Sequence, residues 1–513
     1  MRRLSVMTVM VALGGPAMSQ EPGAPLSAID WLSQSVESAP TAAASRPQAF
    51  EPPVASTGTA PGVTVSPLED TQFGPLGVLP SEVTGLPISL WARSDESTLV
   101  SLIRAEQVET LPALQDLLVT LMLAVAEPPD GSSGNALFLT RADKLLDMGA
   151  IEAAQSLLES GDLLDREVFR RWFDVSLLRG TESEACAMLK QQPTLAPTLM
   201  ARVFCVARNG DWNAAALTLN TARALGDVTP DEEALLTRFL DPELAVEGED
   251  LFPPSRPSPL VYRLKEAVGE LMPTSGLPLA FAHADLRDTV AWRGQIEAAE
   301  RLARHAALSE NVLLSVYTAR APAASGGVWD RAAAIQDLEA ALGSDDDADL
   351  AEALQVAWAA MEEAGLQVPF ARVYGETLLS RTLDGTSAQL AHRIALLSPA
   401  YEAAARSIAP RSVTERIWRA VATGEFADIE PKDAPSAAVL AGFRASSPSN
   451  SLATTIEAGR IGEAVLRAIA AFQQGLDGDH HAVTDAIATL RAAGLDDVAR
   501  RAALQYLILD ART

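Results

Sequence analysis

Two cysteines, five histidines and several close-set acids are the residues of this 513-residue chain whose types and spacing could do chemistry. Cys186 falls in a helical pattern over Glu182–Gln191 and Cys205 in the next, over Thr198–Arg208, with Pro193 and Pro197 forcing a turn between them. Two antiparallel helices joined in this way can bring the sulfurs together. The absence of a Cys-x-x-Cys pair, which would depress a thiol pKa, points to a structural disulfide rather than a redox centre. Closing a loop of this length contributes roughly 3 kcal/mol in the chain-entropy picture. The histidines are His283, His305, His392, His480 and His481, and none belongs to a His-Glu-x-x-His pattern. Asp477, Asp479, His480 and His481 carry ligands suited to a divalent cation, but acids at a helix start explain them more simply. Asp345, Asp347 and Asp349 imitate the first half of a calcium loop; Leu350 stands where its glycine belongs and Val356 where its glutamate belongs, which argues against calcium. Gly131-Ser132-Ser133-Gly134 lacks the spacing of a nucleophile elbow, and no phosphate-loop signature occurs. The expectation is a chain without catalytic residues, metal or cofactor.

The N-terminus supplies an address. Arg2 and Arg3 precede an apolar run from Leu4 to Leu13, Gly14-Gly15-Pro16 breaks it, and Ala17-Met18-Ser19 places small residues before Gln20. This is the pattern of a cleavable signal peptide over residues 1–19, too short to remain as a membrane span. Export to the periplasm agrees with the disulfide. No later run is long and apolar enough to cross a bilayer, so the mature chain is expected to have no transmembrane span. Net charge is −27, and only four of the 40 basic residues are lysines. Such a balance repels nucleic acid and anionic membrane surfaces, which leaves other envelope or periplasmic proteins as the expected partners.

The elements that would hold these residues are helices. Residues 20–80 are rich in Pro, Ala, Ser and Thr and predict a disordered linker. One apolar island interrupts it, Leu26-Ser27-Ala28-Ile29-Asp30-Trp31-Leu32, and Ile29, Trp31 and Leu32 are candidate docking residues, for a partner or for the body of the chain itself. A second island, Phe73–Trp91, is expected to pack on the first helices. Beyond it, apolar residues recur at helical spacing: Phe138, Ala142, Leu145 and Leu146, then Ile151, Ala154, Leu157 and Leu158, and later Leu350, Leu354, Trp358 and Met361 behind a cap at Ser344-Asp345. Strand alternation is scarce, so the fold class is all-α. Prolines between Phe252 and Pro278 suggest two arrays, 81–250 and 281–513, joined by a Pro-rich connection over 251–280.

The helix turns share a pattern: glycine, an apolar residue two positions on, and alanine five positions on. It occurs at Gly149 and Ala154, at Gly210, Trp212 and Ala215, at Gly294 and Ala299, at Gly459 and Ala464, and more weakly at Gly494 and Ala499. Glycine permits a left-handed cap, the apolar residue plugs the turn and alanine lets two helices approach closely. The pattern resembles the helix-turn-helix of tetratricopeptide repeats, and the last two copies lie 35 residues apart, near that family's period. The other intervals are irregular, and the family's Trp-x-x-Leu-Gly opening and closing proline are mostly missing. The resemblance covers about a third of the chain and implies an α-solenoid of helix hairpins that binds peptides or proteins, a scaffold or adaptor; it transfers no binding residue. Trp212, Trp292, Trp329, Trp358 and Trp418 are candidate anchors wherever they prove exposed. The alternative is a peptidoglycan hydrolase, or its accessory subunit, with a solenoid body, although residues 450–513 carry no Glu-Ser motif of the kind such enzymes use.

Overall fold

The computed structural model describes residues 74–132, 135–241, 243, 251, 254–344 and 346–509. The proposed signal peptide, the island at Ile29, Trp31 and Leu32, and Asp345 lie outside them. Among the described residues the chain is helical, and the pairing of extended backbone is limited to two isolated bridges, Leu76 with Ala126 and Leu79 with Ala124.

The first helices are α1 (Ser81–Thr84), α2 (Glu96–Ala105), α3 (Pro112–Leu123), α4 (Ala136–Asp147), α5 (Ile151–Glu159) and α6 (Arg166–Arg179). Then come α7 (Glu182–Gln191), α8 (Leu199–Arg208), α9 (Trp212–Leu225), α10 (Pro230–Leu240) and α11 (Pro259–Ala267), followed by a 3₁₀ segment, Leu279–Leu286. The middle of the chain forms α12 (Trp292–Ala303), α13 (Glu310–Thr318), α14 (Val328–Leu342), α15 (Asp347–Glu363), α16 (Gln367–Leu379) and α17 (Gly385–Leu396). The last helices are α18 (Tyr401–Ser407), α19 (Val413–Thr423), α20 (Ala434–Arg444), α21 (Asn450–Glu457), α22 (Ile461–Leu476), α23 (His480–Ala492) and α24 (Asp496–Leu509).

Local chemistry sets many of the boundaries. The side chains of Asp95, Asp165, Thr198, Asp211, Ser258 and Ser412 each accept from a backbone N–H of the first turn that follows. Thr229 and Glu232 satisfy each other's backbone at the start of α10. The cap of α15 is Asp346, one position beyond the expected Ser344-Asp345: its carboxylate accepts from Ala348 and Asp349. The turn after α4 shows how the glycine pattern works. Gly149 has φ 72°, its N–H donates to Leu146 and the next N–H, of Ala150, donates to Leu145, a doubly bonded left-handed cap. Ile151 and Ala154 behind it are fully buried. The turns at Gly210, Gly459 and Gly494 repeat this hydrogen bonding, and Ala215, Ala464 and Ala499 are buried at the corresponding positions.

Two turns depart from the pattern read in the sequence. Gly294 is not a turn residue, because α12 begins two positions earlier at Trp292; Ile296 and Ala299 are nevertheless buried. The left-handed cap at the other end of this helix falls on a non-glycine, Ala306, with φ 52°. At the Gly494 copy, Leu495 turns inward beside the polar Asp496.

Helix α3, Pro-Ala-Leu-Gln-Asp-Leu-Leu-Val-Thr-Leu-Met-Leu, is apolar nearly all round, and such a helix must be enclosed. It is enclosed by the helices that follow it and by the last helices of the described chain. It packs on α4 and α5 from its own neighbourhood and on α22 and α24 from the C-terminus. The backbone N–H of Ala113 donates to the Gln505 side chain, 392 positions away, at 2.9 Å, and Gly462 donates to the Leu90 carbonyl at 3.1 Å. A single hydrophobic cluster runs from Leu86 to Ile508. The stretch 251–280, expected as a connection, contains α11, which packs on α6 and buries Leu260, Tyr262 and Leu264. The 3₁₀ segment after it packs on α4, α6 and α12, so contacts are continuous across this stretch. Of the island Phe73–Trp91, Leu86, Leu90 and Trp91 are buried, whereas Val83 and Ile88 face solvent.

Candidate interaction surface

Cys186 and Cys205 form a disulfide, with Cα atoms 4.8 Å apart, that fastens α7 to α8. Three further contacts brace the same region. The Asn209 amide donates to the Cys186 carbonyl at 3.0 Å, and the buried Glu182 carboxylate pairs with Arg208 and with Arg263 of α11, both at 3.0 Å. The turn before α7 follows the glycine pattern too, with Gly180 left-handed and Ala185 buried. Its apolar position holds Glu182, which hid it in the sequence.

Helix α9 rests on this braced platform. It packs mainly on α8 and α10, through a narrow stripe of Ala215, Leu219 and Ala222. Its N-terminus is held by aromatic contacts: Phe204 lies 5.6 Å from Phe239, and Trp212 lies 5.6 Å from Phe239 on the outer side. The opposite face of α9 is exposed among the described residues. Asn213, Leu217, Asn220, Thr221 and Ala224, at helical spacing, are all exposed on it. Trp212 is 47% exposed, Leu217 69% and Leu225 71%. No charged side chain occurs from Trp212 to Ala222, although the chain as a whole carries −27. The only charge on the helix is Arg223, which pairs with Glu233 of α10 at 2.6 Å. An outermost helix with a neutral, leucine-bearing face over a covalently fixed base can hold an apolar partner surface without first removing charge.

The other tryptophans do not offer such a surface. Trp292 and Trp358 are buried, and Trp329 and Trp418 are partly covered against the core. The indole of Trp292 also donates to the Val316 carbonyl.

The charged groups inside the body hold it together. Arg141, missed in the sequence although it interrupts the apolar stripe of α4, donates from buried positions to the carbonyls of Met122, Ala124 and Leu76. It thereby closes the C-terminal end of α3, and burial pulls its pKa down to about 10. Arg171 forks onto Asp143 at 2.5 and 2.9 Å. Glu300 accepts from Tyr317 and from two nitrogens of Arg331, locking α12, α13 and α14. Burial raises the Glu106 carboxyl to about 8 against the opposing pull of Lys144, and raises Asp174 to about 7. His283 is buried and bonded to the Gly149 carbonyl at 2.7 Å; burial lowers its pKa. His480 lies 2.8 Å from the Tyr506 hydroxyl, and Asp479 caps α23. Among the described residues no group of three or more potential ligands could hold a metal ion, and no helix is long and apolar enough to cross a membrane.

Concavities indent the described body. A shallow groove on α2 is lined by Glu96, Ser97, Val100, Ser101, Arg104 and Ala136. A small pocket of ≈ 30 Å³ lies under Gly74 and Leu76, walled by Trp91, Phe138 and Arg141. A crevice of ≈ 20 Å³ between α13 and α16 is lined by apolar side chains with Glu310 at its edge. The chain matches no family model, no curated protein and no solved structure.

Proposed function

We propose that this chain is a non-catalytic scaffold or adaptor, exported to the periplasm, that binds another envelope protein through the outer face of α9. In this reading the helix hairpins are a degenerate tetratricopeptide-like array whose glycine turns set the packing, and residues 20–73 are a tether leading into it. The observation that carries the reading is the exposed, uncharged face of α9 around Leu217, with Trp212 and Leu225 exposed at the two ends of the same helix, on an otherwise strongly acidic protein. Large exposed apolar side chains grouped on one rigid element are what interfaces use, and the disulfide beneath α9 keeps that element from yielding when a partner docks.

The test compares the mature chain with the double variant Leu217→Asp/Leu225→Asp. Both leucines are exposed, so the variant should unfold at the same denaturant concentration as the parent. Proteins that co-purify with the parent from envelope extracts, identified by mass spectrometry, should be lost from the variant. Recovery of the same proteins with both chains removes α9 as the binding face. Cleavage of peptidoglycan by the purified parent would overturn the non-catalytic reading altogether.

A further inference from the structure

We propose that Asn209 is a self-modification site, latent in the folded chain, whose conversion to aspartate and isoaspartate is gated by the Cys186–Cys205 disulfide. Asn209 is the one asparagine of the chain that is followed by glycine. The pairing sets the chemistry, because glycine has no Cβ to hinder approach of its backbone nitrogen. The Gly210 nitrogen attacks the side-chain carbonyl carbon of Asn209, and the new C–N bond closes a five-membered succinimide. The side-chain nitrogen leaves as ammonia and takes up the proton that the Gly210 nitrogen gives up. Water then opens the ring at either carbonyl, leaving an ordinary aspartate or an isoaspartate whose backbone runs through the side chain. No oxidant, metal or second protein is consumed. Both residues are exposed, so water reaches the ring.

The fold holds this reaction back in three ways. The Asn209 side-chain amide donates to the Cys186 carbonyl at 3.0 Å and its backbone N–H donates to the Cys205 carbonyl at 2.9 Å, so the residue is tied to both halves of the disulfide. The attacking nitrogen is engaged as well, since the Gly210 N–H donates to the Ala207 carbonyl at 2.9 Å. The backbone torsion is also wrong. Asn209 has φ −78° and ψ 3°, and ring closure requires the Gly210 nitrogen to swing about a third of a turn around Cα–C until it eclipses Cβ. That swing would break the left-handed cap at Gly210, φ 91°, and with it the bond from the Asp211 N–H to Val206. Conversion therefore proceeds from the opened turn, at a rate set by how often α7 and α8 part there. The product cannot remake the clamp. An aspartate at position 209 has no side-chain N–H to give the Cys186 carbonyl, and it adds a negative charge two positions before Asp211, the cap of α9. The isoaspartate lengthens the backbone inside the turn that seats α9. None of this depends on whether α9 binds a partner.

Peptide mass mapping of the full mature chain, incubated in mildly alkaline buffer, tests this. Conversion reads as a gain of one mass unit at Asn209 and a split isoaspartate peak. In the parent it should be about tenfold or more faster in urea than in native buffer. In native buffer, Cys186→Ser/Cys205→Ser should convert Asn209 about threefold or more faster than the parent, while Asn450, followed by Ser451 at the start of α21, keeps its rate. Equal rates in urea and native buffer would show that the fold does not guard the site. Equal rates in parent and variant, or the same acceleration at Asn450 as at Asn209, would overturn the gating by the disulfide. A second variant leaves both cysteines in place: Asn209→Asp, the chemical product, should speed amide exchange in Trp212–Leu225 by about threefold, as expected for one lost hydrogen bond. Unchanged exchange there would overturn the loosening of α9 by the modification.

Discussion

Single residues in this protein carry opposing backbone costs that can be exchanged. Gly149 sits at φ 72°, and a Cβ built on it would lie 2.7 Å from the Leu279 side chain. Gly149→Ala should therefore cost about 1–3 kcal/mol from left-handed strain and crowding together. Ala306 adopts the same left-handed region without being glycine, so Ala306→Gly should raise stability by up to about 1 kcal/mol, net of the entropy glycine adds to the unfolded chain. Urea unfolding of the two variants checks both signs; two changes in the same direction would contradict the assignment of the turns. Glu106 makes a prediction about pH. Its folded pKa, about 8, lies above the unfolded carboxylate value, so between these values the folded state holds the extra proton. Its contribution to stability is complete below about pH 4.5 and is lost as pH rises through 8, with a slope approaching 1.4 kcal/mol per pH unit. Asp174, raised to about 7, acts in the same direction. Glu106→Gln should flatten the decline in stability between pH 5 and 9, and a parallel pair of curves would show that Glu106 does not titrate in this range.

At the scale of elements, the disulfide and the α9 face belong to one construction. The bond closes 19 positions of chain between α7 and α8, and removing it by Cys186→Ser/Cys205→Ser should cost about 3 kcal/mol. Because α9 packs mainly on α8 and α10, the loss should concentrate there. Amide exchange in Trp212–Leu225 should accelerate more than in α22 or α23, whose packing lies elsewhere. Uniform acceleration throughout the chain would mean the bond stabilises the whole fold and does not specifically brace the proposed surface. The same unit shows what could be read locally. The ranges expected around Cys186 and Cys205 match α7 and α8, because proline, a threonine cap and apolar spacing are all near-neighbour signals.

At the scale of the whole described body, α3 is enclosed by helices from opposite ends of the described chain, α4 and α5 on one side and α22 and α24 on the other. Gln505 accepts from the otherwise orphaned Ala113 N–H in a buried setting, and Gln505→Ala should cost about 1–3 kcal/mol for the donor left unpaired. Arg372 joins α3, α13 and α16 through Asp116 and Glu310. Arg372→Ala should leave Asp116 and Glu310 without the cation between them, Arg501 offsetting only part of the loss at Asp116, and exchange should rise in all three helices together. A rise confined to α16 would show that the joint does not couple them.

The helical class, the ranges of the two helices that carry the cysteines and the pairing of Cys186 with Cys205 were legible in the sequence alone. Each depends on residues within a few positions of one another, or on two cysteines placed either side of one turn. Only the tertiary structure decided that α3 is the enclosed helix, that Trp212 faces solvent while Trp292 and Trp358 do not, and that Arg141 spends its charge on the end of α3. Periodicity states that a helix has an apolar side but not which helix will cover it. That choice rests on contacts such as Ala113 with Gln505 and Asp116 with Arg372, whose partners are hundreds of positions apart and leave no mark in local spacing.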